Sequence, residues 1–81
     1  MFLVRPPLVT PFRLRASDEL GVAAPLCVVF EDSPAGIAAA KAGGLYCVAV
    51  ATTHEPSQLA AADRIVASLS EITWPVRVPT G

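Results

Sequence analysis

Apolar and polar positions divide this chain into short blocks, and the sharpest of them runs from Cys27 to Gly44. Cys27-Val28-Val29-Phe30 is apolar without alternation, the pattern of a strand buried on both faces. Glu31 and Asp32 follow at once, where such a strand ends. Ser33-Pro34 then opens a helix. Asp32 or Ser33 supplies a capping oxygen, and proline suits the first helical position because the N–H it lacks has no partner there. The helix runs on alanines to Gly43-Gly44, a stop signal that tolerates the left-handed conformation. Ile37 is its one large apolar anchor. Ala38-Ala39-Ala40 and Gly36 predict a close approach of helix to sheet.

The rest of the pattern alternates strand with helix. Phe12, Leu14, Ala16 and Leu20 fit a helix closed by Gly21, and Val22 to Pro25 connects it to the first strand. Leu45 to Ala51 is a second continuous apolar strand, with Thr52-Thr53-His54-Glu55-Pro56 as the loop at its C-terminal end. Ser57 to Ala62 reads as a short helix, Arg64 to Ala67 as a third strand, and Leu69 to Ile72 as a turn of helix. Prolines interrupt both ends, so 1–11 reads as an irregular leader and 74–81 as a tail around a folded body at 12–73. The order α-β-α-β-α-β implies an α/β fold with three parallel strands and right-handed crossovers.

A carboxylate pair at the C-terminal tip of a buried strand is placed for chemistry, because ligands of open α/β sheets bind beyond the carboxyl ends of the strands. The plainer role of Glu31 and Asp32 is to cap the helix and complement its dipole. Walker B sequences and receiver domains carry strand-end acids too. The chain has no G-x-x-x-x-G-K-[ST], and a receiver would need a further strand-end aspartate and a lysine that are not placed here.

Composition narrows the setting. The 81 residues are 53% hydrophobic and 16% charged, which argues against disorder. For so small a body this is a large apolar share, and it predicts surface covered by further chain or by a partner. A net charge of −1 without a basic cluster gives nucleic acid no footing. No run reaches the roughly 18 apolar residues of a membrane span, and Arg5-Pro6-Pro7 interrupts the apolar start before a signal sequence forms. Cys27 and Cys47 read as reduced core thiols. A cytoplasmic protein is expected.

The stretches V-V-F-E-D-S-P-A-G-I-A-A-A-K-A-G-G, C-V-A-V-A-T-T-H and A-D-R-I-V-A-S-L-S-E-I, in this order, resemble the C-terminal third of a haloacid-dehalogenase-like hydrolase. They are most similar to the branch of beta-phosphoglucomutases and sugar-phosphate or glycerol-phosphate phosphatases. The resemblance runs from about Phe12 to Ile72. It implies a partial Rossmann-like core, with Mg2+ as cofactor and a phosphorylated small molecule as substrate. Glu31 and Asp32 match the family's metal-binding acids, and Ser33 matches the position that orients the metal's water. Mg2+ suits such a pair, since it takes a few hard carboxylate oxygens and keeps its remaining waters, and the neighbouring helix N-terminus offers N–H donors to phosphate.

The chain also departs from that family. Its aspartates are Asp18, Asp32 and Asp63, and none stands in the D-x-D of the family's nucleophile, so no catalytic residue is carried over. The family's third motif is a lysine before the Phe12 segment; the nearest cation here is Arg5, out of register, and Lys41 reads as a solvated helix residue. His54 shares the strand-end edge with the acids and reads as a polar loop residue that could face a substrate. Trp74 reads as cover for apolar surface. Two functions follow. One is the acid-bearing portion of a Mg2+-dependent phosphohydrolase or phosphomutase. The other is an inert or interacting module that lacks the nucleophile and self-associates through an open edge of the acid-bearing strand.

Overall fold

The computed structural model describes residues 1–13 and 27–80. The acid-bearing strand, β3, spans Val28–Glu31 and is buried at every position. It pairs in parallel with β4 (Tyr46–Val50), which pairs in parallel with β5 (Arg64–Val66). These are the three strands the apolar runs predict: β3 starts one residue later and takes in Glu31, β4 is trimmed at both ends and β5 at its C-terminal end. Between β3 and β4 lies helix α1, Pro34–Ala42, with Pro34 in its first turn. Ser33 is the N-cap, its Oγ accepting the Gly36 N–H at 3.1 Å. Gly43 closes the helix, and Gly44 follows at φ +76°, a conformation that glycine adopts without steric cost.

Side chains alternate across the sheet with period two, and each face has its own core. On the helix side Val29, Cys47 and Ala49 pack with Ile37 and Ala40 of α1 and with Leu59. Ile37 is the anchor the sequence suggests, at 1% exposure. Of the three consecutive alanines only Ala40 is buried; Ala38 and Ala39 face solvent. On the opposite side Val28, Phe30, Val48, Val50 and Val66 form a second cluster with Val4, Val9, Ile72, Val76 and Val78.

That second cluster overturns the reading of both chain ends. Residues Phe2–Val4 form β1, antiparallel to β3 with Phe2 opposite Phe30 and Val4 opposite Val28. The main sheet is therefore mixed, in the order β1-β3-β4-β5, and the edge of β3 expected to be open is covered. Val9–Arg13 (β2) and Val76–Thr80 (β6) pair in parallel as a separate ribbon. Val9, Val76 and Val78 from this ribbon are buried in the cluster. The leader and tail are thus strands, not irregular segments. Their prolines are tolerated because each strand of a two-stranded ribbon is an edge, with one side free of ladder partners.

The helix expected from Phe12 to Leu20 begins inside β2; its remainder and the 22–25 connector lie outside the described residues. The segment expected as the helix Ser57–Ala62 is instead a 3-10 turn at Pro56–Leu59, with a second such turn at Leu69–Glu71. Phe30 joins the layers: its ring stacks on Phe2 at a centroid distance of 4.9 Å and meets Trp74 at 5.9 Å. Trp74 therefore covers apolar surface, as its sequence context suggests. Among the described residues no helix is long and apolar enough to cross a membrane.

Lys41 is not simply solvated. Its Nζ pairs with Asp63 Oδ2 at 2.6 Å and donates to the Leu45 carbonyl at 3.1 Å. The same Asp63 oxygen accepts the Cys47 N–H at 2.8 Å, and the Asp63 N–H returns to the Cys47 carbonyl at 2.9 Å. One carboxylate thus ties the end of α1 to the start of β4.

Both cysteines are free, Cys47 fully buried and Cys27 only half-buried, so Cys27 is less enclosed than its apolar context predicts. Burial pushes the Cys47 thiol above its ordinary pKa; Asp63 and Glu31 push the same way, and Lys41 opposes them. A thiol reagent at mildly alkaline pH should therefore modify Cys27 and spare Cys47 until the chain unfolds. The folded state holds the Cys47 proton more tightly than the unfolded state does. Stability from this group is therefore complete below the ordinary thiol pKa and declines as pH rises through the folded value. Equal labelling rates for the two cysteines in the folded chain would contradict this placement.

Candidate functional site

Strand β3 ends in Glu31, and period-two alternation puts its side chain on the α1 face of the sheet, in line with Val29. Glu31 is 7% exposed, the one charged residue among the buried side chains described. A buried carboxylate is costly unless hydrogen-bonded. Here Oε1 accepts the Asp32 N–H at 3.1 Å and lies 3.5 Å from the Ser33 hydroxyl, a long and weak contact. Space for the carboxylate comes from Gly36: a Cβ built there would overlap Cγ, Cδ and Oε2 of Glu31. The glycine that the sequence suggests as a helix–sheet packing device is more specifically the seat of this acid.

Asp32 stands one residue beyond the strand and is exposed, while Ser33 is half-buried. The hydroxyl of Ser33 accepts the Gly36 N–H, which caps α1, and approaches Glu31 Oε1 only at the long distance. The structure brings all three sequence-predicted residues to one turn, between the C-terminal end of β3 and the first turn of α1. Beside them opens a cleft of about 400 Å³. Glu31, Asp32, Thr52 and Ser68 give it polar groups, and Phe2, Phe30, Val50 and Leu69 among others form an apolar wall. It lies at the carboxyl ends of the parallel strands β3, β4 and β5, where such sheets bind ligands.

His54 reaches the same turn from the loop after β4. Its Nδ1 lies 2.9 Å from the Asp32 carbonyl oxygen and 3.1 Å from Thr53 Oγ1. It also lines a neighbouring hollow of about 670 Å³ with Thr52, Glu55 and Gln58. Its position at the strand-end edge is readable from the sequence; its bond to the acid turn is not. Phe2 and Met1 were hidden too, because nothing in the leader signals that it pairs with β3.

The donor chemistry fits a hard divalent cation in one restricted sense. Among the described residues no three His, Cys, Asp or Glu side chains converge to hold a metal ion. Two adjacent carboxylates remain, which suits Mg2+, an ion that keeps several waters and takes only one or two protein carboxylates.

Sixty residues of this chain are 47% identical to a phosphatase. That protein is the validoxylamine A 7'-phosphate phosphatase of Streptomyces hygroscopicus subsp. limoneus, and the similarity covers 74% of this chain but 28% of the phosphatase. The chain thus matches little more than a quarter of the length of this curated relative. No family model and no solved structure matches it.

Proposed function

We propose that this chain carries the acid motif of a haloacid-dehalogenase-like phosphohydrolase acting on a phosphorylated small metabolite, in the sugar-phosphate phosphatase and beta-phosphoglucomutase branch. The observation that carries this reading is the delivery of Glu31 and Asp32 by a buried parallel strand to a cleft beside a capped helix. Similarity to a phosphatase of a phosphorylated metabolite supports it. Asp32, the exposed acid, and Glu31, fixed over Gly36, would be the two acids that hold Mg2+; Ser33 would orient the metal's water. Bound there, Mg2+ would neutralise charge on a phosphoryl group. Thr52 and Ser68 offer hydroxyls at the cleft to the substrate's polar groups.

The reading makes two linked expectations. Mg2+ should bind weakly, on the order of millimolar, because two carboxylates are a sparse donor set. The chain alone should not turn over p-nitrophenyl phosphate or sugar phosphates, because no D-x-D aspartate is present to act as nucleophile. Amide NMR shifts during a Mg2+ titration test the site: changes should centre on residues 31–33 and vanish in Asp32→Asn. A titration that leaves those amides unmoved at tens of millimolar Mg2+ would remove the metal role. Turnover abolished by Asp32→Ala would overturn the second expectation.

A non-catalytic reading is favoured by one observation. Strand β1 is an outer edge of the main sheet, and Met1, Phe2 and Leu3 are 81%, 43% and 43% exposed. An apolar edge invites a further strand, so a second copy pairing at β1 is the expected partner. Sedimentation should then show a concentration-dependent dimer that Leu3→Lys disperses; a clean monomer at high concentration would end this reading.

A further inference from the structure

We infer that His54 is a positioning residue for Asp32, acting through a hydrogen bond from its ring to the Asp32 carbonyl. This rests on the reading of Asp32 as a cation-holding acid. The Asp32 oxygen can only accept, so the ring nitrogen 2.9 Å away must carry the hydrogen. The neutral ring is then the Nδ1–H tautomer, with Nε2 left as an acceptor. Thr53 Oγ1, 3.1 Å from the same nitrogen, shares that hydrogen or lies alongside it.

The bond matters because of where Asp32 sits. It lies between the end of β3 and the N-cap Ser33, outside both regular elements, so no strand ladder or helix fixes its peptide plane. On one side the Asp32 N–H is held by Glu31 Oε1. On the other, the carbonyl is held by His54 from the loop after β4. The two bonds together fix the peptide planes on either side of the Asp32 Cα, and hence the direction in which its carboxylate leaves the backbone. Ties of this kind, one step removed from a ligand, set metal affinity through geometry. His54 thereby ties the loop after β4 to the turn after β3.

The test uses the full chain and Mn2+ as the probe. The chain has a single histidine, so ring 15N shifts report one residue, and at a pH where the ring is neutral they should show Nδ1–H. An Nε2–H tautomer would overturn the inference. Mn2+ affinity, read from paramagnetic broadening, should fall about tenfold in His54→Ala. It should recover in His54→Asn, whose side-chain N–H can occupy the place of Nδ1–H. Equal affinity in the wild type and His54→Ala, with binding lost in Asp32→Asn, overturns the positioning role and leaves the acid reading standing. Binding indifferent to Asp32→Asn, or absent from the wild type, overturns the acid reading and with it any role of His54 in holding a cation.

Discussion

Replacing Phe30 with alanine should leave the chain at or near its unfolding midpoint in plain buffer. Phe30 is 1% exposed and sits in the apolar cluster that joins the main sheet to the β2–β6 ribbon. Deleting a fully buried phenylalanine side chain typically costs about 3–5 kcal/mol, because the cavity left behind only partly collapses. Here the ring also stacks on Phe2 and meets Trp74, so both chain ends lose their main aromatic contact. An 81-residue domain has roughly 4–12 kcal/mol of total stability; a body this small belongs at the low end of that range, where the loss takes up nearly all of it. Urea unfolding followed by the fluorescence of Trp74, the single tryptophan, measures it. Leu8→Ala, at a residue 52% exposed, should shift the curve by less than about 1 kcal/mol. A Phe30→Ala curve that overlays the Leu8→Ala curve would show that the ribbon is not packed as described.

Phe30 also marks the boundary of what the sequence makes legible. Its own strand, helix α1 and strands β4 and β5 are announced by local signals: unbroken apolar runs, a Ser-Pro start and a Gly-Gly stop. Those signals act over a few residues and need no knowledge of the rest of the chain. The acid pair was legible for the same reason, since Glu31 and Asp32 abut the run that places them. What pairs with Phe30 from outside was not legible. The opposition of Phe2 to Phe30 and of Val9 to Val76 joins segments far apart in sequence, and neither segment alone has a pattern strong enough to predict a strand. Pro11 and Pro79 argue against strands locally, yet a two-stranded ribbon has no inner strand for them to disrupt. The site was hidden in the same sense wherever it depends on contacts across elements. His54 is visible as a polar residue after β4, but its bond to the Asp32 carbonyl exists only once β3 and β4 are in register.

Gly36→Ala should destabilise the wild-type chain and stabilise one in which Glu31 has already been removed. Residue 36 lies in the first turn of α1, and at an ordinary helical position the change from glycine to alanine is favourable by up to about 1 kcal/mol. At this position the new Cβ would overlap the Glu31 side chain. A surface glutamate would swing aside at little cost. Glu31 is 7% exposed and its Oε1 holds the Asp32 N–H, so moving it breaks that bond and repacks the first turn of α1. Overpacking of this kind costs about 1–3 kcal/mol, enough to outweigh the gain in helix propensity. Combined with Glu31→Ala, the obstruction is gone and only the helical gain remains, so the same Gly36→Ala change should turn favourable. The difference between the two backgrounds is the coupling of the pair, expected at about 1–3 kcal/mol, and chemical denaturation of the four proteins in the cycle yields it. The reversal of sign is the decisive result, because helix propensity alone predicts stabilisation in both backgrounds and a general fragility of the turn predicts destabilisation in both. If Gly36→Ala has the same effect with and without Glu31, the carboxylate is not seated against this glycine, and the acid pair must be oriented by something else.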